Sequence, residues 1–273
     1  MNSVYFDTHT HLHDKRFGPA LDAVIGRALD AGLTHMVACG TEESDWPAVL
    51  ALAKRRPCVV PMLGLHPWFV QDASPGWFET LARLAKDHPV GIGECGLDFA
   101  VESFDRERQE DAFRWQLELA RALDRPLSIH CRKAWDRLLA LLRETGLPEA
   151  GAAVHSFSGS PEMAMELQHL GLHLSFSCSL ANPANKRAAR ALQAVFLDRL
   201  LFETDSPDIP PRHLPEYREG RLNEPANIRL VAEAAARLRG SGEEVLAESA
   251  YGNARRLFGR LMAPAAPSGE RPG

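Results

Sequence analysis

The chain alternates between two kinds of segment, and few folds accept the pattern. Short runs rich in Val, Ile, Leu and Phe fall at residues 4–9, 35–40, 59–67, 90–95, 127–131, 152–157, 172–177 and 200–205. Each has the length and near-continuous apolar character of a parallel strand buried on both faces. Longer amphipathic stretches fill the gaps. Residues 19–32 carry Pro19 near the start and Gly32 past the end, the asymmetry of a helix. Residues 44–56 offer Ser44 or Asp45 as a cap. The longest stretch, 105–124, sets Phe113, Leu117, Ala120 and Leu123 on one stripe. Further helical patterns lie at 133–146, 160–171, 185–195 and 227–238. Repeated strand–helix units in a chain of 273 residues predict an α/β fold, a (β/α)8 TIM barrel. An open doubly wound sheet is the alternative, but its Gly-rich nucleotide fingerprint does not follow the first run.

Residues 243–259 read as an extra C-terminal helix. One barrel domain is expected over residues 1–262, followed by a disordered Pro/Gly/Ser-rich tail at 263–273. The proline-rich stretch 206–225 reads as a long irregular loop, and loops of that length are usually functional. A net charge of −5 does not describe a protein that coats nucleic acid electrostatically, although a local basic groove is compatible with it. No apolar run approaches the ~20 residues of a membrane span. The start of the chain enters a polar motif at once, unlike a signal peptide. Five scattered cysteines without a CxxC pair read as reduced thiols. The expectation is a cytoplasmic protein with no membrane association and no evident protein partner.

Chemistry gathers at the C-terminal ends of the proposed strands, the face of a barrel that carries active sites. The first run ends in "DTHTHL", where alternation along a strand aims His9 and His11 at one spot and places Asp7 on the same side. The third ends near His66, the fourth in Glu94, the fifth in His130, the sixth in His155 and the eighth in Asp205. Taken singly, each has a bland reading: a core histidine, a paired core charge, a turn cap. Taken together, these imidazoles and carboxylates form a ligand set for divalent transition metals. His9, His11, Glu94, His130, His155 and Asp205 are too many for one tetrahedral ion and suit two, bridged by Glu94. One ion takes His9, His11 and Asp205, and the other takes His130 and His155. Such a pair is spaced by ~3.5–4 Å and activates water as a nucleophile, with Asp205 placed to take its proton. His66 is either a substrate contact or a side chain packed under Trp68 and Phe69. His13, His35, His88, His169, His173 and His213 read as lying off the site.

These residues sit in motifs that resemble the TatD family of metal-dependent deoxyribonucleases, within the amidohydrolase superfamily. The motifs run from about Tyr5 to Phe258: "DTHTHL", "GLHPW", "GECGLDF", "IHCRKAWD", "HSFSG", "ETDSP", "NEP" and "NARRLF". The resemblance implies a (β/α)8 barrel, two divalent ions and hydrolysis of phosphodiester bonds in DNA; single-stranded DNA is the expected substrate, and the mixed nitrogen and oxygen ligands leave Zn, Mg and Mn open. It implies the same six metal ligands and Asp205 as general base. Cys131 and the proline-rich loop depart from the family pattern near the substrate region. Arg132, Lys133, Arg212, Arg218 and Arg221 are candidates to hold phosphates, with His66, Arg132 and Arg212 the chosen substrate contacts. Trp68, Phe69 and Trp135 either stack on bases or pack the rim. A cyclic amidase, lactonase or phosphotriesterase on the same barrel is the alternative. Those enzymes often bridge their metals with a modified lysine, and no lysine closes a comparable strand here. A non-catalytic metal-binding protein is the other alternative, and a complete ligand set with a candidate base argues against it.

Overall fold

The computed structural model describes residues 3–262 apart from 102, 104, 218 and 219. The proposed tail at 263–273 and Arg218 lie outside the described residues. Eight parallel strands form one sheet in sequence order, β1 (Tyr5–Thr10), β2 (Leu33–Cys39), β3 (Val59–Leu63), β4 (Gly91–Asp98), β5 (Leu127–Arg132), β6 (Ala152–Val154), β7 (His173–Phe176) and β8 (Leu200–Phe202). Helices return the chain between strands: α1 (Leu21–Asp30), α2 (Trp46–Arg55), α3 (Trp77–Asp87), α4 (Arg106–Ala122), α5 (Trp135–Thr145), α6 (Pro161–His169) and α7 (Lys186–Ala194). The helices α8 (Ile228–Arg239) and α9 (Glu243–Phe258) follow the last strand.

The sheet closes on itself between β1 and β8 with little backbone ladder. Thr10 pairs with Ser206 in an isolated bridge, the His11 N–H donates to the Ser206 carbonyl at 2.7 Å and the Asp205 N–H to the His9 carbonyl at 3.0 Å. The Asp7 carboxylate supplies the rest, accepting from the Thr204 N–H at 2.9 Å and from its hydroxyl at 2.6 Å. Asp7 therefore does not join His9 and His11. A register shift between Asp7 and Thr10 breaks the alternation of a regular strand and turns Asp7 to the seam.

Local signals account for most elements. Asp105 caps α4, its side chain accepting from the Arg108 N–H, and Phe113, Leu117 and Ala120 face the core. Leu123 lies just past the helix and is half-buried. Asp45 stands at the cap of α2 but turns its carboxylate to the Thr41 N–H and hydroxyl instead. The sequence patterns passed over α3. Gly76 holds its cap position and offers no side-chain acceptor, although Trp77, Leu81 and Ala85 recur with helical spacing and are buried. Several strands are shorter than expected. His66, His155 and Asp205 stand in the turns just beyond β3, β6 and β8, not within them. The extra helix α9 closes the barrel where the strands begin: Leu257 and Phe258 pack with Phe6, Val60 and Leu201, and the Asn253 amide donates to the Leu200 carbonyl.

Close approach of β4 to β5 sets the position of Glu94. At Gly96 (φ +138°) a Cβ would stand 2.0 Å from the His130 carbonyl oxygen, and at Gly93 (φ +143°) 2.7 Å from that of Ser128. Gly96→Ala is expected to lower stability by roughly 3 kcal/mol or more, combining overpacking with a backbone conformation that L residues rarely adopt. Gly26→Ala, within α1 and with nothing near its added methyl, should be neutral or stabilising. Thermal melts of the two variants test the contrast, and equal melting temperatures would contradict it.

Candidate metal centre

All six predicted ligands converge at the barrel mouth, around one buried carboxylate. Glu94 Oε2 faces His9 Nε2 at 3.3 Å and His11 Nε2 at 3.4 Å. Its Oε1 faces His155 Nε2 at 2.8 Å, His130 Nδ1 at 3.1 Å and His66 Nε2 at 3.2 Å. Asp205 Oδ1 completes the first side, 3.4 Å from His11 Nε2 and 3.9 Å from His9 Nε2. The two oxygens of Glu94 thus look into two separate donor sets.

Partners on the far side of each ring decide which nitrogen faces inward. His11 Nδ1 donates to the Cys39 carbonyl at 2.9 Å, so Nε2 is the nitrogen turned to the carboxylates and the one that would take a metal. His9 Nδ1 pairs with the Ser128 hydroxyl at 3.0 Å. His130 Nε2 donates to Asp98 Oδ2 at 3.2 Å, so Nδ1 is free to coordinate. His66 differs. Its Nδ1 accepts the Trp68 N–H at 3.2 Å, so the neutral ring presents an N–H to the site and no lone pair. That favours a hydrogen-bond donor over a ligand, although His66, Glu94 and His130 are close enough to hold an ion together.

The backbone is held in unusual conformations beside these groups. Lys133 after β5, Ser156 after His155, and Asp205 itself have positive φ, at 54°, 43° and 58°. Strain of this kind persists where surrounding contacts enforce it, often at active sites.

Charge is concentrated here, and the ionisation equilibria show the strain of it. Burial opposes the charged form of Glu94, but His155, His66 and His9 together hold its carboxyl well below the usual range. Burial likewise opposes protonation of His11, yet the hydrogen bond to Asp205 and the charge of Glu94 lift it to about 9. His155 is raised well above its ordinary value, with Glu94 and then Glu203 outweighing burial. His66 moves the other way, to about 4, because burial dominates. Asp205 is held below its ordinary value against burial, first by the hydrogen bond from His11. The donor set fits divalent ions. His130 Nδ1 and His155 Nε2 lie 3.1 Å apart, an approach of two ring nitrogens that requires a proton or a cation between them. His9, His11 and Asp205 offer a second site within coordinating reach.

Two acidic residues of the site were not singled out from sequence. Asp98 is buried and binds both His130 and the Trp68 indole N–H. Burial would raise its carboxyl, but these bonds, His130 first, hold it at about 2. It lies four residues past Glu94 on the same strand, a spacing that alternation would have flagged had β4 been drawn to its full length. Glu203 is fully buried two residues before Asp205. Its Oε1 accepts the Ser156 N–H at 2.7 Å and lies 3.6 Å from His155 Nδ1, while its Oε2 has no partner among the described residues.

The predicted substrate contacts fare unequally. His66 is in the cluster. Arg132 ends β5, exposed and two residues past His130. Arg212 lies exposed on the long loop, without a hydrogen bond or ion pair to the cluster among the described residues. Arg221 stacks on Tyr217 at 4.8 Å, and Lys133 precedes α5 instead of opening it. Trp135 packs edge-on against Phe157 at 5.1 Å, a rim contact.

A closed parallel barrel with imidazoles and carboxylates gathered at the strand ends defines a metal-dependent hydrolase. Comparison with known proteins narrows the class. The family described as "TatD related DNase" matches residues 6–259. The chain is 36% identical over 256 residues to the 3'-5' ssDNA/RNA exonuclease TatD of Erwinia billingiae, covering 93% of this chain and 98% of that protein. It is 30% identical to the uncharacterized metal-dependent hydrolase YabD of Bacillus subtilis, covering 93% and 99%. Among solved structures, the TatD homologue YJJV of Escherichia coli K12 superposes with a TM-score of 0.89 at 30% identity, covering 95% and 99%. The protein belongs to the TatD-related DNase family of metal-dependent hydrolases.

Proposed function

We propose that the protein is a two-metal exonuclease that removes nucleotides from the 3' end of single-stranded DNA. The observation that carries this reading is Glu94, with one oxygen turned to each of two donor sets. The name of the Erwinia relative supports the polarity and the substrate. His9, His11 and Asp205 would hold one ion, His130 and His155 the other, and Glu94 both. The ions are Zn, Mg or Mn, all compatible with mixed nitrogen and oxygen donors. When bound they polarise a phosphoryl oxygen and make water a stronger acid.

The chain's own groups do the rest. Asp205 takes the proton of the attacking water as its oxygen bonds to phosphorus; the bond to the 3' oxygen of the preceding nucleotide breaks, and that oxygen leaves as the new 3' hydroxyl with a proton from water. The neutral His66 donates its Nε2–H to a phosphoryl oxygen as negative charge grows there. Arg132 pairs with the neighbouring phosphate. Residues 1–262 act as a single catalytic unit. The free cysteines suit the reducing cytoplasm, and among the described residues no helix is long and apolar enough to cross a membrane.

The test is a panel of single-stranded DNA, duplex DNA, RNA, cyclic amides and lactones, assayed with each metal in turn. Stepwise shortening of single strands from the 3' end, slowing as salt rises, is the expected result. Turnover of a lactone or amide with none on nucleic acid would place the enzyme with the amidohydrolases instead.

A further inference from the structure

Trp68 combines exposure with rigidity. It is 43% exposed, yet its plane is fixed from two sides. The indole N–H donates to Asp98 Oδ2 at 2.8 Å, and the ring meets His66 edge-on with centroids 4.9 Å apart. Asp98 is the carboxylate that also receives His130, so the indole and a candidate ligand share one brace. Packing does not explain this ring. Trp135 is half-buried against Phe157 and Phe69 is half-buried against the core, whereas Trp68 turns much of its surface to solvent beside the metal centre.

We propose that the exposed face of Trp68 is the stacking platform for the 3'-terminal base, and that this platform confines the enzyme to unpaired ends. The proposal rests on the nuclease reading above. Stacking on an indole requires only a free π-face, which every base has, so the platform tolerates any sequence and favours the larger purines. A base within a duplex has its faces covered and its edge paired, and must be lifted out before it can reach the ring. Arg132, exposed nearby at the end of β5, has no carboxylate partner among the described residues and is available to the adjoining phosphate.

The experiment compares single strands whose 3'-terminal nucleotide carries adenine or is abasic, with wild type and Trp68→Leu, both metal-loaded. Wild type is expected to prefer the base-bearing strand by about 10- to 100-fold in kcat/KM, mainly through KM. In Trp68→Leu the preference should collapse to near one. Disturbance of His130 through Asp98 would slow both strands alike, so the ratio isolates the stacking. An undiminished ratio in the variant overturns the proposal. Indole fluorescence supplies a second readout: deoxyadenosine monophosphate should quench wild type and lose that quench in Trp68→Phe. If wild type cleaves no nucleic acid, the nuclease reading falls by itself. The quench then decides the platform, sustaining it if it depends on Trp68 and ending it if it does not.

Discussion

Asp205→Asn is expected to leave the barrel folded while cutting kcat by about 10²–10⁴, the usual effect of removing a general base. Asparagine keeps the shape and one carbonyl oxygen but cannot take a proton. Position 205 has φ +58°, a conformation in which asparagine is among the most tolerant side chains. Backbone strain therefore cannot account for a loss. Metal content measured beside kcat separates chemistry from binding. His130→Ala should empty the site shared with His155, because among the described residues Asp205 pairs with His9 and His11 and not with His130 or His155. Near-wild-type turnover by Asp205→Asn with two ions bound would place the base elsewhere. Glu203, buried with an unpartnered oxygen, would then be the next candidate.

Glu94→Gln should be more damaging and in a different way. Five imidazoles surround this one carboxylate. A glutamine removes the negative charge that offsets the protons or ions held among these rings, and it offers one acceptor oxygen where the carboxylate offers two. Removing one partner of a buried charged cluster costs about 3–5 kcal/mol, since the remaining charges stay desolvated without compensation. The expected result is a lower denaturation midpoint even without metal, loss of both ions by elemental analysis and turnover at background. Asp205→Asn should show the reverse emphasis, with chemistry lost and a smaller fall in stability, because His11 keeps Glu94 as a partner. Two ions retained by Glu94→Gln at wild-type stability would mean that the carboxylate bridges nothing.

Much of this was legible in the residues, for reasons that differ by element. The strands were visible because parallel strands covered on both faces are apolar throughout. His9, His11, Glu94, His130, His155 and Asp205 were visible because each interrupts or closes such a run with a polar group that has no structural use there. The structure also gathers them around Glu94, one oxygen facing His9 and His11 and the other His130 and His155. Asp7 misled because a bulge is a backbone event that residue types do not announce. The helix α3 was missed for want of a capping side chain at Gly76. Asp98 and Glu203 sit inside the recognised motifs "GECGLDF" and "ETDSP", but their contacts depend on where each strand stops. His66 was ambiguous because its role turns on a tautomer, fixed by the backbone N–H of Trp68.

The seam between the first and last strands has a consequence for how such an enzyme is made. Asp7 meets Thr204 across 197 positions of sequence, and the same junction brings His9 and His11 against Asp205. On the ribosome the histidines emerge early, and their carboxylate partner is among the later residues to appear. Once residue 155 is made, the growing chain carries five of the six proposed ligands and lacks the one that closes the ring, Asp205. On the proposed assignment of Asp205, competence arrives with ring closure and not by degrees, so a stalled or truncated product lacking β8 is expected to have the histidines and no hydrolytic activity.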